Sequence, residues 1–181
     1  HSKMVQQPIY ESDAKNILKN NLNISCINIP EHVIIENLAD LELIKILNKW
    51  LEINKLVVKP DQCVKGRGLA GLVGLQFSWN NVCNWVMQHF GKPHNFGKIS
   101  GVLNRFIVEP FVKHEKIEEH FLCILSTKDY DTILYSPKGG VDIGDIKSHS
   151  FCIKIKINED LTEEYIADFF KINASDPISS I

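Results

Sequence analysis

The 181 residues predict an α+β fold, and three observations carry that reading. Apolar side chains recur at helical spacing in separated segments near the start, the middle and the end of the chain. Short runs rich in Val, Ile, Phe and Tyr fill the spaces between them with the period of two that strands show. The glycine-rich loop joins one such run to another and does not open a helix, so the Rossmann arrangement of strand, glycine loop and helix is not met.

Taken in order, Ala14, Ile17, Leu18 and Leu22 share one face of a first amphipathic helix, with Ser12 or Asp13 placed to cap it. Residues 24–29 read as a strand stopped by Pro30, and Leu38, Leu41, Ile44, Leu47 and Leu51 as the stripe of a second helix, with Trp50 in the core. Residues 55–59 and 72–77 read as strands, the second presenting Val73, Leu75 and Phe77 on one face. Val82, Trp85, Val86 and Phe90 mark a third helix, closed by Gly91 and Pro93; His89 and His94 are surface or capping groups there. Residues 106–108, 121–127, 132–136 and 151–157 read as further strands. Asp160 with Glu163 forms a capping box for a last helix over 161–170, followed by a polar linker at 172–181.

The chemistry concentrates between Lys55 and Gly74. A strand delivers Lys59 at its end, and Pro60, lacking an N–H, stops the ladder. The following loop sets Lys65 and Arg67 among Gly66, Gly68 and Gly71, so that backbone amides can approach an anion while cations neutralise it. The glycines alone fit a plain hairpin turn equally well. Lys59, Lys65 and Arg67 around them favour a phosphate-binding strand, loop and strand.

With 20 basic and 22 acidic residues the net charge is −2, which provides no field for a nucleic-acid backbone or an anionic membrane. The five cysteines, at 26, 63, 83, 123 and 152, show neither C-x-x-C pairing nor zinc-site spacing. They read as free thiols, and a cytoplasmic location is expected. His1, Ser2 and Lys3 ahead of Met4 read as a vector scar.

The run Leu56-Val57-Val58-Lys59-Pro60-Asp61, the Arg67-Gly68 loop and Gly71-Leu72-Val73 resemble the amino-terminal ATP-grasp region of the ATP-citrate lyase (ATP-citrate synthase) family. Further on, Ile107-Val108-Glu109-Pro110-Phe111-Val112 with His114, and Gly139-Gly140-Val141-Asp142-Ile143-Gly144-Asp145, resemble that family's segments in the same order. Tyr10 to Leu22 is similar to the opening helix shared with the succinyl-CoA synthetase β subunit. The family's animal members carry Arg where this chain has Gly66, so a looser loop with one charge fewer is expected.

The resemblance implies an ATP-grasp fold of two lobes of mixed β-sheet with flanking helices: residues 4–111, then 112–171 as the start of an incomplete second lobe. It implies that Lys59, Arg67 and the Gly68 amide meet the phosphates of ATP, and that the backbone at Glu109, Pro110 and Val112 edges the adenine. Glu119 would take the ribose hydroxyls, with Glu118 as its rival. No catalytic residue and no metal ligand is expected within this segment; those for Mg2+ are expected outside it. The implied partners are ATP or ADP and the citrate- and CoA-binding regions of the enzyme, in a homo- or hetero-oligomer at full length. Two alternatives stand beside this: a succinyl-CoA synthetase β-like ligase lobe, and a non-catalytic nucleotide-sensing module.

Overall fold

The structure, a computed structural model, describes residues 8–22, 27–62, 67–68, 70–96, 99–139 and 150–170. Lys65, Gly66, Cys26, Cys63, the turn at 140–145 and the stretch 172–181 lie outside the described residues. Two compact units follow one another along the chain, His1–Val112 and Lys113–Ile181.

In the first unit, α1 (Glu11–Asn21) precedes β1 (Val33–Ile35), a 3-10 turn (Leu38–Asp40), α2 (Leu41–Leu47), α3 (Trp50–Ile53), β2 (Leu56–Pro60) and β3 (Gly74–Phe77). Then come α4 (Trp79–His89), β4 (Pro93–Phe96), β5 (Ile99–Val102) and β6 (Phe106–Pro110). The main sheet has the order β1-β6-β2-β3, and β4 with β5 forms a separate hairpin. All strand pairings among the described residues are antiparallel, where mixed sheets were expected. The sheet forms from the consecutive pair β2 and β3 and two long-range pairings, of β6 with β2 and of β6 with β1, without the crossover helix that parallel neighbours need.

Alternation assigns the two faces of this sheet. Leu56 and Val58 of β2 and Phe106 and Val108 of β6 point into a core shared with Ile35, Leu51, Leu72, Trp79, Val82, Val86 and Leu103. Ser78 caps α4 by accepting from the Asn81 amide at 3.4 Å, and Gly91, at φ +71°, turns the chain out of it. The side chains left on the opposite face, Lys59 and Glu109 among them, are the ones α1 covers.

Several expectations are corrected here. The described part of the 24–29 segment carries no strand; the strand lies beyond Pro30, at the short Val33-Ile34-Ile35 run of β1. The second helix breaks at Asn48, so its stripe loses register and Leu47 is 71% exposed while Leu51 is buried. In β3 a bulge opposite Leu56 to Val58, with Gln76 at φ +58°, turns Leu75 outward and Gly74 inward. A Cβ at Gly74 would sit 2.8 Å from Val58, which is why the buried position is a glycine.

The apolar face of α1 also differs from expectation. Ile17 and Leu18 are 53% and 44% exposed, and the helix docks through Glu11, Ser12 and Lys15 instead. Tyr10 is its N-cap residue, and neither Ser12 nor Asp13 caps it.

The second unit holds a 3-10 turn (Lys116–Glu118), then β7 (Phe121–Ser126), β8 (Tyr130–Ser136), β9 (Phe151–Lys156) and α5 (Glu163–Phe170). Its strands form one antiparallel sheet, β7-β8-β9. At α5 it is Thr162, not Asp160, whose side chain accepts from the Tyr165 amide, at 3.2 Å. Cys83, Cys123 and Cys152 are free thiols. No helix among the described residues is long and apolar enough to cross a membrane.

Candidate functional site

Lys59 is the penultimate residue of β2 and Glu109 that of β6, and the register places them diagonally: Val57 opposes Glu109, and Lys59 opposes Ile107. On one face of an antiparallel pair such diagonal neighbours lie within reach of long side chains. The Lys59 ammonium donates to Glu109 Oε1 at 2.9 Å. From above, α1 adds Glu11 and Lys15, one helical turn apart. Glu11 Oε1 accepts from Lys59 at 2.7 Å and from Lys15 at 2.9 Å, and Lys15 also donates to Glu109.

Arg67 completes the cluster from the loop. Its guanidinium donates through one terminal nitrogen to the Pro60 carbonyl at 2.6 Å and through the other to Glu11 Oε2 at 2.9 Å. The loop closes on itself where the Gly71 amide donates to the Gly68 carbonyl at 3.0 Å and the Leu72 amide to the Arg67 carbonyl at 2.9 Å. Gly71 takes φ +68°, a conformation that favours glycine. The structure therefore brings Lys59, Arg67 and the Glu109 side chain together, with Gly68 beside Arg67 in the chain.

Three cations face two carboxylates in this cluster. Burial alone would raise the pKa of Glu11, but Lys59 and Lys15 outweigh it and hold the carboxyl at about 2, against an ordinary 4.5. Burial opposes the charge on Lys15 too, yet its bonds to Glu109 and Glu11 lift its pKa above the ordinary value. Both shifts favour the charged forms of Glu11 and Lys15.

A second network pins α1 in place. The buried Asp61 carboxylate accepts from the Ser12 amide at 3.2 Å, from the Ser12 hydroxyl and from Arg105 Nε at 3.0 Å. Arg105 further donates to Glu36 and to Ser12 Oγ, and its guanidinium lies 4.5 Å over the Tyr10 ring. Asp61 of the Lys-Pro-Asp run is thus an anchor for the helix that bears Glu11.

Pro110 ends β6 opposite Leu56, and the Phe111 amide donates to the Lys55 carbonyl at 2.7 Å. β1 pairs with β6 only from Phe106 to Val108, so Glu109 and Pro110 lie beyond its register on that side. Val112, 59% exposed, is the last residue of the first unit. Within the second unit, Glu119 Oε1 is 2.9 Å from His114 Nε2. Its rival Glu118 is occupied in a capping box, accepting from the Glu115 amide at 2.6 Å. Gly139 donates to the Glu119 carbonyl at 2.6 Å, and a Cβ there would come within 2.7 Å of the Glu119 backbone.

Sequence reasoning missed Glu11 and Lys15. Their spacing of four on one helical face was visible, but the apolar stripe of the same helix drew the face assignment. A concavity in the second unit, lined by Ile155, Glu159, Asp160, Leu161 and Tyr165, includes none of the predicted residues, and its two carboxylates are ill suited to an anion.

A cation-bearing glycine loop between antiparallel strands, next to a strand whose end breaks off at Glu-Pro, is the arrangement of an ATP-grasp lobe, and solved structures agree. The fold is similar to the structure of ATP citrate lyase from Methanothrix soehngenii in complex with citrate and coenzyme A, with a TM-score of 0.72 and 27% identity, over 93% of this chain and 42% of that one. The family model for the ATP-citrate synthase ATP-grasp domain matches residues 5–178, and the chain belongs to that family. Among its relatives, ATP-citrate synthase of Homo sapiens is 38% identical over 125 residues, 69% of this chain and 11% of that protein. ATP-citrate synthase alpha chain protein 2 of Arabidopsis thaliana is 34% identical over 166 residues, 91% of this chain and 39% of that protein. The chain thus spans between about a tenth and two fifths of the relatives it matches.

Proposed function

We propose that this chain is the nucleotide-binding amino-terminal segment of an ATP-citrate lyase, the enzyme that converts citrate, CoA and ATP to acetyl-CoA, oxaloacetate, ADP and phosphate. The observation that carries the reading is the convergence of Lys59 and Arg67, from a strand end and a glycine loop, on the two oxygens of one carboxylate. An arrangement that holds one bidentate oxyanion suits another, and a phosphate offers the same pair of acceptors. Family membership supplies the nucleotide.

In this reading Lys59, Arg67 and the Gly68 amide hold the phosphates of ATP. Main-chain groups at Glu109, Pro110 and Val112 meet the adenine edge, and Glu119, steadied by His114, accepts from the ribose hydroxyls. Bound ATP supplies the phosphoryl group; the segment contributes positioning and charge neutralisation. The ligands of Mg2+ are proposed to lie elsewhere in the enzyme. The reading extends to citrate- and CoA-binding regions as partners, to an oligomer at full length, and to a cytoplasmic enzyme supplying acetyl-CoA for lipid synthesis.

Calorimetric titration of ATP into the full-length enzyme tests it. Lys59→Met or Arg67→Gln should weaken binding by roughly tenfold or more, the loss of one charge-assisted hydrogen bond. Because Lys59 also neutralises Glu11 and Glu109, its replacement lowers stability too, so melting curves must show both variants folded. Unchanged affinity in both variants refutes the assignment.

A further inference from the structure

We infer that Glu11 is an exchangeable internal anion that occupies the phosphate grip and must leave it when a phosphate enters. The inference rests on the nucleotide reading above, and names the group against which phosphate competes.

The geometry is that of a placeholder. Glu11 offers Oε1 to Lys59 at 2.7 Å and Oε2 to Arg67 at 2.9 Å, so its two oxygens bridge the two cations proposed to grip phosphate. A phosphate set between the same cations would use the same donors. Both anions cannot bridge them at once, since like charges at that separation repel. Glu11 keeps 24% of its side chain exposed, so water and a ligand can reach it.

An alternative partner stands ready. Lys15, one turn along α1, donates to Glu11 Oε1 at 2.9 Å and also to Glu109. When Glu11 yields Lys59 and Arg67 it retains Lys15, and its charge is not left bare. Glu109 differs: it is bound by Lys59 and Lys15 but not by Arg67, and so does not bridge the grip. The cluster therefore shields its cations until an anion strong enough to displace a carboxylate arrives. A multiply charged polyphosphate meets that requirement better than a singly charged anion.

The test uses inorganic tripolyphosphate, which lacks base and ribose, titrated calorimetrically into the full chain and its variants. Glu11→Gln, which keeps the shape and removes the charge, should bind tripolyphosphate roughly tenfold more tightly than wild type, since one charge-assisted competitor is gone. Glu11→Asp, which draws the carboxylate back along its stem, should move in the same direction by less, and serves should the glutamine variant fail to fold. Lys15→Met should weaken binding in the wild-type background, where Glu11 loses its fallback, and less so in the Glu11→Gln background. Unchanged or weaker binding by Glu11→Gln and Glu11→Asp overturns the inference and makes Glu11 a residue that merely orients the cations. If Arg67→Gln weakens tripolyphosphate binding while the Glu11 variants do not strengthen it, the inference alone fails. If Arg67→Gln has no effect, or neither wild type nor any Glu11 variant binds, the phosphate reading fails with it.

Discussion

Arg105 holds two carboxylates of opposite character, and replacing each in turn separates what burial contributes from what charge contributes. Asp61 has no exposed side-chain surface, whereas the side chain of Glu36 is 61% exposed. In Asp61→Asn one oxygen becomes an amide nitrogen. If the remaining oxygen faces Arg105, the new N–H₂ confronts the Ser12 amide; if it faces Ser12, the N–H₂ confronts the guanidinium. Either way two donors meet in a sealed site and Arg105 loses its buried counter-charge. The expected cost is about 3 kcal/mol, the range for breaking a buried pair by one partner. Glu36→Gln leaves a solvated neighbour and should cost at most about 1 kcal/mol. All three tryptophans, Trp50, Trp79 and Trp85, lie in the first unit, so fluorescence during urea unfolding reports that unit specifically. Linear extrapolation then gives both values from one experiment. A cost for Asp61→Asn no greater than that for Glu36→Gln would refute the anchoring argument.

Acid stability should follow Glu11. Its pKa is held at about 2 against 4.5, so the group binds fewer protons in the native chain, and its contribution is complete above pH 4.5 and lost as pH falls towards 2. Lys59, Lys15 and Arg67 face it. Discounted for its partial exposure, that contribution is about 1–2 kcal/mol, and Glu11→Gln should flatten the stability curve between those pH values; an unaltered slope counts against the cluster. Gly139→Ala should force the chain off the Glu119 backbone, because carbonyl atoms 2.7 to 2.8 Å from the new Cβ cannot step aside as a side chain could. Hydrogen exchange at β7 and β8 should accelerate, with a cost of about 1–3 kcal/mol; unchanged protection would show the approach to be looser than described.

Much of the site was legible because its residues sit where local rules are strong. Pro60 and Pro110 mark the ends of β2 and β6, and each is preceded by the charged side chain, Lys59 or Glu109, that alternation turns away from the core. Gly91 closes α4 as expected, while the Ser78 cap at its start emerges only from the structure. What escaped depended on long-range packing. The helix period of α1 was correct, but which of its faces is buried was decided by Asp61 and Arg105, 49 and 93 residues away from Ser12. A bulge in β3 and a break at Asn48 each shifted an otherwise regular pattern by a fraction of a period. β1, β4 and β5 are three or four residues long, too short for alternation to stand out.

The polar docking of α1 has a consequence for the order in which the molecule assembles. The contacts of this helix with Asp61, Arg105 and Glu109 span 49 to 94 residues, so they form only after the long loop between has closed, whereas β2 with β3 and the helix after them can form locally. Because α1 holds Lys59 on β2 and Glu109 on β6, it can dock only once those two strands are paired, and it is expected to be the first piece to leave. Its attachment depends on ion pairs and hydrogen bonds instead of a shared apolar seam, so salt and acid loosen it before they touch the core beneath. Opening of the native state should begin at the amino terminus, and the cations of the sheet would then meet solvent before a single core residue does.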